Sequence, residues 1–140
     1  MVCLGNICRS PLAEGIMQHL ADKKGLNWQI DSAGTGNWHI GKAPDYRSIR
    51  VAQHYGVDIS KQVCRLFHPI DFDAFDHILV MDKSNLSNVL AMARNEHDRK
   101  KVKLLLVDQI VPDPYHDDKQ FEPVYKLIEA GCQAFIAKYR

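Results

Sequence analysis

The chain has 140 residues, close to the commonest size of one domain, so it can bury one sizeable core and not two. Its 46% hydrophobic and 25% charged residues exclude the disordered and fibrous classes. Residues 1–70 carry eight basic and five acidic groups and residues 71–140 ten and twelve, a net charge of +1 overall, too little to bind nucleic-acid phosphates by charge alone. No apolar run reaches the roughly 18–20 residues of a membrane span, and no charged leader precedes an apolar stretch. The expectation is a soluble cytoplasmic protein with no nucleic-acid or membrane partner. Four cysteines, Cys3, Cys8, Cys64 and Cys132, are not needed as disulfide staples in a chain this rich in Leu, Ile and Val, which turns attention to thiol chemistry.

No repeat or linker divides residues 1–140, which read as one domain. Pro11 suits a first helical position, and Leu12, Ile16, Met17 and Leu20 follow at helical spacing until Gly25, predicting a helix over 11–24. Trp28 to Ser32 reads as a strand and Ala33 to Pro44, with Gly34, Gly36 and Gly41, as a long loop. Arg47 to Tyr55 reads as a helix closed by Gly56, with Ile49 and Ala52 inward and Val51 a further candidate, whereas Asp58 to Phe67 is ambiguous. The apolar runs His77 to Met81 and Val102 to Val107 have the character of strands covered on both faces, with a helix over Ser84 to Ala93 between them. In Phe121 to Tyr139, residues Val124, Leu127, Ile128, Cys132, Phe135, Ile136 and Tyr139 fall on one helical stripe. This alternation predicts an α/β domain with a mainly parallel sheet, helices on both faces and a ligand site beyond the C-terminal strand ends. Only Met1 and Val2 precede Cys3, so the first strand is expected to be truncated at the N-terminus, since strands usually hold about five or six residues.

The chemistry concentrates in Cys3-Leu4-Gly5-Asn6-Ile7-Cys8-Arg9-Ser10, with Pro11 opening a helix behind it. A loop of this size before a helix can turn successive N–H groups inward, and the helix N-terminus adds positive potential, so an oxyanion such as inorganic phosphate fits there. Gly5 permits unusual dihedrals, Asn6 tolerates a left-handed conformation, and the planar fork of Arg9 can grip two phosphate oxygens. Helix N-termini and nearby cations favour the thiolate of a cysteine, which makes Cys3 the expected nucleophile. Ser10 stands where a helix N-cap is expected, but Ala13 three residues on makes no capping box, and its hydroxyl can instead bond the Cys3 sulfur. A thiol attacking a phosphate ester needs an acid for the leaving oxygen. Asp113, between Pro112 and Pro114 and beyond the strand at 102–107, is placed for that role, although an Asp-Pro pair by itself marks only a turn. Trp38 and Tyr115 are candidate walls for an aromatic leaving group.

Val2-Cys3-Leu4-Gly5-Asn6-Ile7-Cys8-Arg9-Ser10-Pro11 closely resembles the signature loop of the low-molecular-weight protein tyrosine phosphatases. Asp31-Ser32-Ala33-Gly34, Ala43-Pro44-Asp45-Tyr46-Arg47, Met81-Asp82-Lys83-Ser84-Asn85 and Asp113-Pro114-Tyr115 are similar to the family's other landmarks in the same order, so the resemblance covers essentially the whole chain. It implies a four-stranded parallel sheet flanked by helices and hydrolysis of phosphotyrosine in proteins, and of small aryl phosphates, through a phosphocysteine intermediate. Cys3, Arg9 and Asp113 would be catalytic, and Leu4, Gly5, Asn6, Ile7, Cys8, Ser10 and Ser32 would form or support the phosphate loop. Trp38 and Tyr115 would be substrate walls, and no cofactor or metal is implied. Ile7 resembles the tyrosine-directed members, whereas relatives acting on phosphoarginine carry threonine there. His116 and Gln62 depart from the pattern, standing near a second tyrosine and a supporting histidine of other members.

Cys8, inside the loop, could condense with an oxidised Cys3 into a reversible disulfide. A thiol-dependent arsenate reductase of the same fold is the alternative enzyme, but Cys64 and Cys132 lack the close spacing of its second cysteine pair. The Gly34-x-Gly36 segment reaches His39 where a dinucleotide fingerprint needs glycine, and the seven histidines show no metal-ligand spacing.

Overall fold

Four short strands carry the sheet: β1 (Val2–Cys3), β2 (Ala33–Gly34), β3 (Ile78–Val80) and β4 (Val102–Leu104). Six helices surround them: α1 (Arg9–Lys23), α2 (Tyr46–His54), α3 (Asp71–Ala74), α4 (Lys83–Ala91), α5 (Glu96–Lys100) and α6 (Phe121–Tyr139). The structure, a computed structural model, describes residues 1–140. The strands pair in parallel in the order β2-β1-β3-β4, with Val2 opposite both Ala33 and Val80, and Ile78 opposite Val102. Side chains alternate across a sheet. Val2, Ile78, Val80 and Val102 therefore join Phe67, Phe72 and Val89 in one core, while Cys3, Leu79 and Met81 face a larger core on the other side. The larger core receives Leu12, Ile16 and Met17 of α1, Val51 and Ala52 of α2, and Val124, Ile128, Cys132 and Ile136 of α6. The expected α/β architecture with helices on both faces is the one observed. No helix is long and apolar enough to cross a membrane.

Local signals set the helix ends. Gly25 (φ 69°) and Gly56 (φ 81°) take the left-handed conformation that ends α1 and α2, and the N–H of the next residue returns to Ala21 and Ala52 respectively, 2.9 Å in both. Asp45 caps α2 by accepting from the Arg47 N–H, 2.8 Å, and Asp82 caps α4 through a reciprocal box with Asn85.

Three expectations need correction. Helix α1 begins at Arg9, so Pro11 is the third helical residue, a position that still needs no donor, and Ser10 lies inside the first turn and not at the cap. Trp28–Ser32 forms no strand, and the ladder begins only at Ala33. The Met1 amino group donates to Asp31 O (3.0 Å), and before it the backbone turns to the Gln18 side chain, which bonds Trp28 O (3.1 Å) and Ile30 N (3.3 Å). Strand β4 stops at Leu104, and Val107 is 90% exposed. The ambiguous stretch ends beside β2, where Phe67 N donates to Gly34 O (2.8 Å) and Gly34 N to Arg65 O (2.9 Å). Helices α3 and α5, of four and five residues, are too short to leave a periodic signal in the sequence.

Chain order reverses between β1 and β3. The loop after β1 therefore opens at a topological switch point beyond the C-terminal strand ends, where ligands of open α/β sheets bind.

Candidate active site

The loop between β1 and α1 is shaped by what happens to its carbonyls. Those of Cys3, Leu4 and Ile7 accept from the N–H groups of Thr35 (3.0 Å), Gly36 (2.8 Å) and Asp45 (2.7 Å). The carbonyls of Gly5 and Cys8 accept from Cys64 Sγ (3.1 Å) and Ser48 Oγ (3.4 Å). With the carbonyls tied to the surrounding shell, the peptide N–H groups are left for the concave side, and those of Leu4, Gly5, Ile7 and Cys8 donate to no protein acceptor. No side chain caps α1, so its first-turn donors add to the same nest. Gly34 lets β2 press against this loop: a Cβ there would meet Leu4 O at 2.9 Å and Asn6 N at 3.1 Å.

Cys3 lies at the base of the nest, 3% exposed. Its sulfur accepts from the Asn6 N–H at 3.3 Å and is 3.0 Å from Ser10 Oγ. Asn6 adopts the left-handed conformation expected of it (φ 56°). Its amide nitrogen donates to Ser10 Oγ (2.8 Å) and Ser32 Oγ (3.0 Å), while its oxygen accepts from the Arg65 N–H (2.9 Å). Ser10 Oγ, which accepts from Asn6, has two partners for its own proton, the Cys3 sulfur at 3.0 Å and Ala33 O at 3.4 Å. Ser32 passes its proton on to Glu14, 2.7 Å away, whose carboxyl burial pushes above its ordinary pKa against the opposing Ser32 bond. Glu14 was not singled out from the sequence, because it is a mid-helix acid 18 residues from its partner.

Arg9 is 2% exposed and held by groups far along the chain. Its Nη1 donates to Asp82 Oδ2 (2.6 Å) and Val111 O (2.9 Å), and its Nη2 stands 3.8 Å from Asp113 Oδ2. Asp82 is the site residue that sequence reasoning missed as such. The signal was there in an acid two residues after β3, with Asn85 three residues on. Asp113 is 41% exposed, and its other oxygen accepts from the Tyr115 N–H at 3.1 Å. The structure thus brings Asp113, read separately in the sequence, to the loop that carries Cys3 and Arg9.

Trp38 (63% exposed) and Tyr115 (41%) stand on the loops after β2 and β4. Trp38 packs on Gly36 so closely that a Cβ there would fall 1.8 Å from the ring, so a side chain at that position would push the exposed ring aside. Ile7 is half-buried. Cys8 is buried, and burial, followed by the Asp45 charge, pushes its thiol pKa up to about 12. Cys64 bonds the loop at Gly5, while Cys132 sits on α6 against Ala13, so the two do not form a pair. A cavity of about 560 Å³ lies elsewhere, lined by Trp28, Ile30, Phe67 and Phe135 together with Arg65 and His77, and no cysteine faces it.

Fold and site together define a doubly wound α/β protein with an oxyanion-binding thiol loop. A family model described as low molecular weight phosphotyrosine protein phosphatase matches residues 1–140. The low molecular weight protein-tyrosine-phosphatase YfkJ of Bacillus subtilis is 41% identical over 145 residues, covering 97% of this chain and 91% of that protein. Among solved structures, the protein tyrosine phosphatase of Entamoeba histolytica with Hepes in the active site matches with a TM-score of 0.92 at 34% identity, over 98% of this chain and 92% of that one. Vibrio vulnificus Wzb in complex with benzylphosphonate matches with a TM-score of 0.89 at 32% identity, over 98% and 94%. The chain belongs to the low molecular weight phosphotyrosine protein phosphatase family and is an enzyme of the protein-tyrosine-phosphatase class.

Proposed function

We propose that this protein hydrolyses phosphotyrosine in proteins, and small aryl phosphates, through a phosphocysteine intermediate. The observation that carries the reading is the nest of outward-tied carbonyls and free N–H groups around Cys3, with Arg9 and Asp113 converging on it. The nest and the Arg9 guanidinium bind the three equatorial oxygens as charge builds on them in the transition state. The Cys3 thiolate attacks phosphorus, the bond to the phenolic oxygen breaks, and Asp113 in its acid form gives its proton to that oxygen. The Asp113 carboxylate then takes a proton from water as the water attacks phosphorus. The S–P bond breaks, and inorganic phosphate and the Cys3 thiolate are released. Asp82 holds Arg9 flat against the site through the 2.6 Å ion pair, and Ser10 offers the returning thiolate a hydrogen bond.

Trp38 and Tyr115, exposed on loops after β2 and β4, offer faces for a phenyl ring. The relative that binds benzylphosphonate accommodates an aromatic group beside a phosphorus oxyanion, in keeping with the same choice here. An arsenate reductase would need a second cysteine pair, and Cys64 and Cys132 do not supply one. We read the enzyme as cytoplasmic.

The test is hydrolysis of an aryl phosphate in EDTA and reductant by the unmodified chain and by Cys3→Ser. Activity abolished only in the variant is the expected result. Activity retained by Cys3→Ser would remove Cys3 as nucleophile, and a folded but inactive unmodified chain would overturn the reading.

A further inference from the structure

We propose that Arg47 is a positioning residue that holds the loop carrying Asp113 and Tyr115 against the phosphate loop, and so sets where the proton donor stands over Cys3. The inference rests on the phosphatase reading above and concerns a side chain outside the reacting set. Arg47 lies in the first turn of α2, between the two loops. Its Nε and Nη2 take the two carboxylate oxygens of Asp45, each at 3.0 Å, while Nη1 donates to Asp118 Oδ1 at 2.6 Å. The guanidinium carbon lies 4.5 Å from the centroid of Phe121 and 5.4 Å from that of Tyr115. A rigid planar fork stacked on aromatic faces keeps its orientation in a way that an ammonium does not.

The contacts on either side make this placement consequential. Asp45 donates its backbone N–H to Ile7 O of the phosphate loop, 2.7 Å, so the residue that Arg47 grips is itself a support of that loop. Burial disfavours the Asp45 carboxylate, yet the Arg47 hydrogen bonds outweigh it and hold its pKa below the ordinary value. On the other side, the loop is fixed at its start by Val111 N donating to Met81 O (2.8 Å) and at its end by the buried Phe121. From Pro112 to Gln120 its remaining hydrogen bonds are internal: Tyr115 N to Asp113, Asp117 N to Pro114, Lys119 N to Asp117 and Gln120 N to Asp117. Its polar contacts with the rest of the molecule in that stretch are Arg9 with Asp113 at 3.8 Å and Arg47 with Asp118. A chain of contacts therefore runs from Ile7 through Asp45 and Arg47 to Tyr115 and Asp118. The Asp118 arm, 82% exposed, contributes little as an ion pair alone; the stacking and the Asp45 fork carry the placement.

Proton donation gives this role a signature that plain stability lacks. Phenyl phosphate leaves as a basic phenoxide that needs the Asp113 proton, whereas p-nitrophenolate leaves as a stable anion and needs it little. For Arg47→Met, kcat/KM on phenyl phosphate is expected to fall on the order of ten- to a hundredfold, as for a catalytic group displaced by about an ångström. The loss on p-nitrophenyl phosphate should be several times smaller, and inhibition by inorganic phosphate, which reports the Cys3–Arg9 nest, should not change. Asp113→Ala should show the same leaving-group pattern in stronger form. Should Arg47→Met fail to fold, Arg47→Lys, which keeps the charge and loses the fork, carries the same comparison. An unmodified chain inactive on both esters would overturn the phosphatase reading and this inference with it. An active chain whose Arg47 variants match it, or lose both esters equally, would overturn the positioning role alone.

Discussion

Asp82→Asn separates two accounts of why a carboxylate sits behind the anion site. Asp82 uses Oδ1 to cap α4 at the Asn85 N–H, 2.8 Å, and Oδ2 to hold Arg9 Nη1, 2.6 Å. An asparagine has one oxygen for the two tasks. If it keeps the cap, its NH₂ faces the guanidinium and Arg9 is left with Val111 O and the more distant Asp113. The Arg9 side chain is only 3% exposed, so water does not replace the lost partner. Breaking a fully buried pair costs about 3–5 kcal/mol and a hydrogen bond to a charged group about 1.5–3 kcal/mol. With Asp82 21% exposed and Val111 O still bonded, about 2 kcal/mol is expected, or a melting temperature lower by about 4–8 °C. The second readout has a sign. Removing a negative charge beside an anion site should tighten phosphate if charge alone matters. If Asp82 orients Arg9, the fork is misaligned and phosphate inhibition should weaken about tenfold despite the extra positive charge. Tighter phosphate inhibition together with an unchanged melting curve would refute the orienting role.

Gly36→Ala would drive a methyl into the Trp38 ring; because Trp38 is 63% exposed, a raised KM for aryl phosphates with little change in melting is expected, and an unchanged KM would remove Trp38 from the substrate wall. The half-buried Glu14 carboxyl has its folded-state pKa raised above the ordinary value, so its contribution to stability is present below the unfolded pKa and lost as pH rises through the folded one. Glu14→Gln, which still accepts from Ser32, should therefore stabilise the protein at neutral pH and not in acid, a difference that denaturant titrations at the two pH values would show.

What could be read from the sequence was what lies close along the chain. Residues Cys3 to Ser10 announce an anion nest because the glycine, the asparagine, the arginine and the helix start are consecutive, and the left-handed Asn6 follows from local sterics. The buried runs around Ile78–Val80 and Val102–Leu104 and the stripe of α6 were legible because their periods are local too. Trp28–Ser32 misled for the complementary reason: a strand needs a neighbour, and its composition cannot say that the Gln18 side chain of α1 takes the backbone groups of Trp28 and Ile30. The same limit hid Asp82, 73 residues from Arg9, and Arg47, 71 residues from Asp118. Asp113 falls between these cases. Its two flanking prolines mark a stiff loop, but only in the folded sheet does the chain beyond β4 cross the end of β3, where Val111 N donates to Met81 O (2.8 Å), and bring the Asp113 carboxyl to 3.8 Å from Arg9. The reactive groups are thus local motifs, whereas the groups that aim them, Asp82 for the arginine and Arg47 for the acid loop, exist as partners only once the sheet has formed.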